Sequence, residues 1–286
     1  MLANFQSQGA HPRPGLGVFA TIPLVTMKSL NPPLLEFKNL TVELGSNYAL
    51  KNLSLRIRRG ENVAIVGPNG SGKSTLIKTI TREIYPEADT FKIFGEENWN
   101  IFELKDKLGI VSPHLQETFH RNLTGAEAIL SGFFSAIETC WQDTVTATMK
   151  NRVKKILRFL GIERLEHRRM NEMSSGEARR ILIGRALVHN PEALILDEPA
   201  TSLDPAARQQ FQTDLRKIAA SGKNVILVTH DLHDIIPEIK RVILMKKGRV
   251  FKDGPKDAVL TEGNLQKLFE TPVHIHKTGE YYYLWS

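Results

Sequence analysis

The run Gly67-Pro68-Asn69-Gly70-Ser71-Gly72-Lys73-Ser74-Thr75 constrains this chain more than any other feature. It follows the strand-like stretch Glu61–Val66 and opens a helical stretch at about Lys73–Arg82, so strand, tight turn and helix are expected in that order. Its glycines let the backbone turn tightly enough for its N–H groups to surround a phosphate. The following helix adds the positive end of its dipole. Lys73 can reach the terminal phosphates of a nucleotide, and the Ser74 hydroxyl can ligate Mg²⁺.

A second segment supplies acid groups. Ala193–Leu196 is an apolar strand ending in Asp197 and Glu198, which places both carboxylates at the strand edge where open α/β sheets bind ligands. Asp197 suits a Mg²⁺ held through water, and Glu198 suits orienting or deprotonating an attacking water. Alone, acids after an apolar run mean little; paired with Lys73 they point to nucleotide hydrolysis.

Around these segments the periodicity switches repeatedly. Leu35–Leu44 and Ala49–Ile57 alternate like the arms of a hairpin turned at Gly45-Ser46. Thr90–Phe94 and Gly109–Ser112 read as short strands. Thr124 and Glu127 form a capping box before an apolar run reaching Phe134, and Met149–Leu160 is an amphipathic helix. After Ala193–Leu196 come a helix from Pro205 capped by Asp204, the strand Val225–Thr229, a helix from about Leu232 and the hairpin Val242–Val250. This alternation implies an α/β fold, a mostly parallel sheet flanked by helices. It is expected to carry an N-terminal antiparallel β subdomain and an α-helical insertion at about residues 117–180. Residues 1–33 hold scattered Gly and Pro and no acidic residue, and are read as a flexible extension before the ATPase domain at 34–286. Met27 is a candidate natural start. The aromatic end, Tyr281-Tyr282-Tyr283-Leu284-Trp285, is expected to form a terminal strand packed on the core.

Composition limits the remaining classes. No stretch reaches the 18 or more apolar residues of a spanning helix, so any membrane association requires a partner. The single cysteine, Cys140, cannot pair within the chain and is read as a buried small hydrophobe. Eight of the Lys and Arg residues fall between Lys150 and Arg169, against Glu163 and Glu166. Because Val153, Ile156, Leu157 and Leu160 recur at helical spacing, most of these charges are placed on the opposite, solvated face. A docking role toward acidic partner loops, lipid headgroups or nucleic acid is the alternative.

Between the two halves of the site lies Met173-Ser174-Ser175-Gly176-Glu177, which resembles the signature motif of the ABC (ATP-binding cassette) ATPases, usually LSGGQ. Thr201-Ser202-Leu203-Asp204 is similar to the loop after that family's catalytic glutamate. His230 occupies the place of its switch histidine, and Tyr48 resembles its adenine-stacking aromatic. The match extends from Leu34 to about Lys252. Two departures stand out: Ser175 and Glu177 replace the usual Gly and Gln, and Gln116 sits a few residues late for the family's glutamine loop, with His114 as the fallback. Physically, Ser174 with Glu177 is a helix cap, and a capped N-terminus with free N–H groups is also an anion site.

The resemblance implies a P-loop NTPase core that binds ATP and Mg²⁺, working as a head-to-tail homodimer or as a dimer with a related ABC subunit. Each site would combine Lys73, Ser74, Asp197, Glu198, Gln116 and His230 of one chain with Ser174 and Gly176 of the other; Ser74, Asp197 and Gln116 are the metal candidates. The leading expectation is that ATP hydrolysis energises transport through separate membrane permease subunits, with this chain cytoplasmic on the inner face of the membrane. The alternative is a soluble ABC ATPase acting as a regulator or remodelling nucleic acid or a protein complex, nucleic acid being the less favoured partner.

Overall fold

A computed structural model describes residues 32–112, 122–134 and 144–286. His114, Gln116 and Cys140, and all but the last residues of the N-terminal extension, lie outside the described residues. The segment Asn31–Ser286 is one compact unit.

Three strands make an antiparallel sheet in the order β2-β1-β4, with β1 at Leu35–Leu44, β2 at Asn47–Ile57 and β4 at Thr90–Ile93. A second sheet has six strands in the order β5-β6-β7-β3-β8-β9. Its members are β3 Val63–Val66, β5 Leu108–Val111, β6 Ala193–Asp197, β7 Asn224–Thr229, β8 Arg241–Lys246 and β9 Arg249–Pro255. All pairings in it are parallel except β8 with β9. Parallel strands are buried on both faces, which is why these segments read as unbroken apolar runs. Their alternate residues still sort by face. Ala64, Val66, Leu194, Leu196, Val225 and Leu227 join the core shared with the helices. Val63, Ile65, Ala193, Ile195, Ile226 and Val228 join the core against the antiparallel sheet.

Helix α1 (Lys73–Ile80) follows β3, and α2 (Ile101–Lys107), capped by Asn100, precedes β5. Three helices contribute heavily to the first core: α3 (Gly125–Leu130), α4 (Ala147–Leu160) and α5 (Ser175–Ala186). Helix α4 buries Val153, Ile156, Leu157 and Leu160, as its periodicity requires. One of its cations leaves the solvated face: Arg152 donates to the carbonyls of Leu187 (2.9 Å) and Val188 (3.1 Å) at the end of α5. Helix α6 (Pro205–Ala220) is capped by the Asp204 carboxylate at 2.8 Å from Ala207 N.

The helix expected from Leu232 does not form. Residues Leu232–Asp234 make one 3₁₀ turn, and the chain is extended again at Ile235. Pro237 is the physical reason, since it disfavours helical backbone at the residue before it and offers no N–H to continue a helix. The C-terminal strand also has a partner. β10 (His274–Thr278) and β11 (Tyr281–Trp285) form a hairpin that stands as its own small sheet. Helices α7 (Lys256–Val259) and α8 (Glu262–Phe269) lead into it.

Candidate nucleotide site

Register alone gathers the site. Val66 at the end of β3 is level with Thr229 of β7, and Asp197 at the end of β6 is level with Val228 of β7. Because these strands are parallel, Gly67, Glu198 and His230 all emerge at one edge of the sheet. The edge beyond the carboxyl ends of parallel strands is where such sheets bind ligands.

The loop after β3 cannot be built from other residues. A Cβ on Gly67 would lie 2.4 Å from the Met245 carbonyl oxygen. One on Gly72, itself at φ 102°, would lie 2.8 Å from the Ala49 carbonyl oxygen. Gly72 ends the loop as the N-cap of α1, with no side chain covering the helix's first N–H groups. The loop is buttressed by the turn between β8 and β9: Gly248 N donates to Ser71 O at 3.0 Å, and Lys51 N donates to Gly248 O at 2.9 Å. The sequence shows Gly248 only as a hairpin turn, and nothing in its pattern marks it as the loop's support.

Lys73 is buried, and its ammonium donates to the carbonyls of Gly67 (2.7 Å) and Pro68 (3.2 Å). The same nitrogen lies 3.6 Å from Glu198 Oε1. Glu198 Oε2 in turn lies 2.6 Å from His230 Nδ1. Glu198 takes a left-handed backbone, φ 45°, and its N–H donates to Val228 O at 2.8 Å. A non-glycine residue held there is strained, and such strain clusters at functional sites. Asp197 beside it has its carboxyl pushed up to about 6, first by burial and then by the charge of Glu198, with Lys73 opposing. The buried Asp197 Oδ1 and Ser71 Oγ have no hydrogen-bond partner within the protein. Buried polar atoms are almost always satisfied, so two orphans around one lysine mark a place for a ligand.

Ser174 and its neighbours are arranged differently. Ser174 caps α5, accepting from Glu177 N at 3.2 Å while Glu177 Oε2 accepts from Ser174 N at 3.0 Å. Glu177 also pairs with Arg164 at 2.5 Å and Arg168 at 3.1 Å. Gly176 packs tightly on α6, where an added Cβ would lie 2.8 Å from Ala207 Cβ. Ser174 and Ser175 are exposed. Among the described residues, no hydrogen bond joins this helix start to Lys73, Glu198 or His230. Tyr48 stands on β2 with half its surface exposed, and the Lys51 ammonium lies 5.0 Å from its ring centre.

A glycine loop feeding a helix, a buried lysine in it, and two strand-end carboxylates beside that lysine define a nucleoside triphosphatase of the P-loop class. The family model described as ABC transporter matches residues 50–201, more than half of the chain. An ABC transporter ATP-binding protein of Streptococcus mutans is 30% identical over 248 residues, covering 85% of this chain and 94% of that relative. CbiO1 of Clostridium perfringens, described as part of an ABC transporter complex, superposes with a TM-score of 0.68 at 28% identity, over 82% of this chain and 94% of that one. A dimeric post-hydrolysis ATP-binding cassette, MJ0796 bound to ADP and phosphate, matches with a TM-score of 0.62 at 30% identity, over 77% and 98%. The chain belongs to the ABC transporter family, as an ATPase that binds and hydrolyses ATP to energise transport.

Proposed function

We propose that the chain hydrolyses ATP at two composite sites of a head-to-tail dimer, each formed by the Lys73 edge of one chain and the Ser174 helix start of the other. The observation that carries this reading is the split between the two regions. Lys73, Glu198 and His230 form one connected group, while Ser174 and Ser175 present a capped helix start to solvent with no hydrogen bond to that group among the described residues. The dimeric relative with ADP and phosphate supports the same arrangement.

In this reading the N–H groups of Gly67–Ser74 surround the phosphates, and Lys73 turns its ammonium from the loop carbonyls toward the terminal phosphate. Tyr48 offers a half-exposed ring to adenine. Glu198 accepts a proton from the attacking water as its oxygen bonds to the γ-phosphorus and the bond to ADP breaks. His230, at 2.6 Å, orients that carboxylate. Asp204 and Glu177 act within their own chain as caps, preparing the surfaces that meet.

The residues also fit a divalent cation. Asp197 has a buried, unpartnered oxygen and a carboxyl that burial disfavours as an anion, both of which a nearby cation would relieve. Asp197 and Ser74 would hold Mg²⁺, with Gln116 as the third candidate. When bound, the metal neutralises charge on the phosphates.

Among the described residues no helix is long and apolar enough to cross a membrane. We infer that the dimer works at the inner face of a membrane, held by separate permease subunits. The relative that forms part of a transporter complex supports this.

The test is Glu198→Gln. Hydrolysis should slow by roughly 10²–10⁴-fold because the base is lost, while ATP binding survives. Sedimentation with ATP and Mg²⁺ should then show the variant as a dimer. A variant that binds ATP tightly and remains monomeric at high concentration would overturn the shared site.

A further inference from the structure

Immediately after His230 the chain makes the tight turn Leu232–Asp234, and the last strand of the protein packs against it. The His233 ring lies against two tyrosines of β11: its centre is 4.5 Å from that of Tyr283, the rings tilted by 35°, and 6.1 Å from that of Tyr281 in an edge contact. Alternation along β11 puts Tyr281 and Tyr283 on one face and sends Tyr282 to the other, where it is buried. There the Tyr282 hydroxyl bonds the Asp257 carboxylate, and Ile275 and Leu284 pack on the main core. Ion pairs Lys240–Glu280 (3.1 Å) and Lys277–Asp257 (2.9 Å) fasten the rest of the hairpin. The hairpin is thus anchored independently of the turn it touches.

The inner side of the turn is held just as closely. Gln212 of α6 donates to the His233 carbonyl at 2.5 Å, and His233 N donates to Asp231 Oδ1 at 3.0 Å. Arg208 of α6 pairs with the other Asp231 oxygen at 2.5 Å. The turn that follows His230 is therefore gripped between α6 and the C-terminal hairpin, and the His233–Tyr283 contact is its outer clamp.

We propose that the C-terminal hairpin is a positioning element for hydrolysis: Tyr283 and Tyr281, packed against His233, hold the turn that aims His230 at Glu198. This rests on the site proposed above. Tyr283 and His233 touch no reacting atom and act through His230.

The experiment is a double-mutant cycle on kcat, KM and ATP affinity. Tyr283→Ala should lower kcat by about tenfold, since small misplacement of a catalytic group is costly, and leave KM and ATP affinity unchanged. Tyr283→Phe keeps the ring and should retain wild-type kcat. In a His230→Ala background, Tyr283→Ala should have no further effect, because the residue through which it acts is gone. If Tyr283→Ala does not fold, His233→Ala opens the same contact and leaves the Tyr282 anchor in place. Wild-type kcat in both alanine variants, or an equal loss with and without His230, overturns the proposal. Neither result touches the site itself, whose failure would show instead as undiminished hydrolysis by Glu198→Gln.

Discussion

The loop edge around Lys73 and the helix start at Ser174, the two halves of the proposed shared site, differ in how their polar atoms are partnered. At the loop edge, polar atoms are left over: Asp197 Oδ1 and Ser71 Oγ are buried without partners, and Glu198 is held at a strained φ of 45°. At the helix start the side chains are paired, with Ser174 and Glu177 bonding each other and Glu177 joined to two arginines. In the proposed shared site, the loop edge would give up stability to receive the nucleotide, and the paired helix start would keep its shape for the second chain. Ground-state imperfection of this kind is a usual cost of a preorganised site.

The largest effect should come from breaking the first region. Lys73→Ala removes the loop's one mobile cation, and ATP binding and turnover should both fall below detection. Near wild-type turnover in a steady-state ATPase assay would remove the assignment. A smaller and more selective effect should come from the second region. Ser174→Arg, introduced into Glu198→Gln, should leave ATP affinity intact and abolish ATP-induced dimerisation, because the side chain obstructs the helix start. Sedimentation and nucleotide titration on the same sample separate the two outcomes. If dimers persist, Ser174 is a cap and nothing more.

Charge removal should sharpen the comparison, since the two regions should respond with opposite sign. Asp197 has its carboxyl raised to about 6, so the folded chain binds that proton more readily than the unfolded one. The folded state therefore loses stability as pH rises from the ordinary aspartate range through 6. Asp197→Asn should stabilise the nucleotide-free protein by about 1–2 kcal/mol at neutral pH, and by nothing in acid. Thermal unfolding across pH checks it; a destabilised variant at neutral pH would contradict the strained-site account.

Glu177 should give the smallest effect, in the other direction. Burial raises its carboxyl, but the Ser174 N–H, Arg164 and Arg168 outweigh burial and hold it below the usual range. Its stabilisation is present above the unfolded pKa and is lost as pH falls through the folded one. Glu177→Gln should therefore cost under about 1 kcal/mol at neutral pH, because its arginine partners are exposed. The difference should vanish once the carboxyl is protonated, which the same unfolding series reads directly.

Local patterns carried most of the architecture. Strands β1, β3, β6, β7 and β8, the cap at Thr124 and the buried stripe of α4 follow from alternation, apolar runs and helical spacing, all of which act over a few residues. The helix expected at Leu232 gives way to a single 3₁₀ turn because Pro237 overrides the apolar pattern around it, and that signal is itself local. Helix α2 is not legible in the sequence for the opposite reason: Asn100 caps it, but only Leu104 of its residues is buried, so its apolar stripe is too thin to show helical periodicity.

By itself the sequence determined the chemistry. The spacing from Gly67 to Ser74, the acids closing an apolar strand and the order of the signature, switch and loop motifs are statements about residue types at fixed separations. The phosphate-binding backbone is made of neighbours in the chain. The tertiary structure alone decided which distant groups share that chemistry. Gly248 supports the loop from nearly two hundred residues away in sequence, and His233 meets Tyr283 across a comparable absence of local signal. Parallel register set Asp197 level with Val228 and brought His230 to the carboxylate of Glu198. Hydrogen-bonded register and burial are properties of the whole sheet, and no window of the sequence contains them.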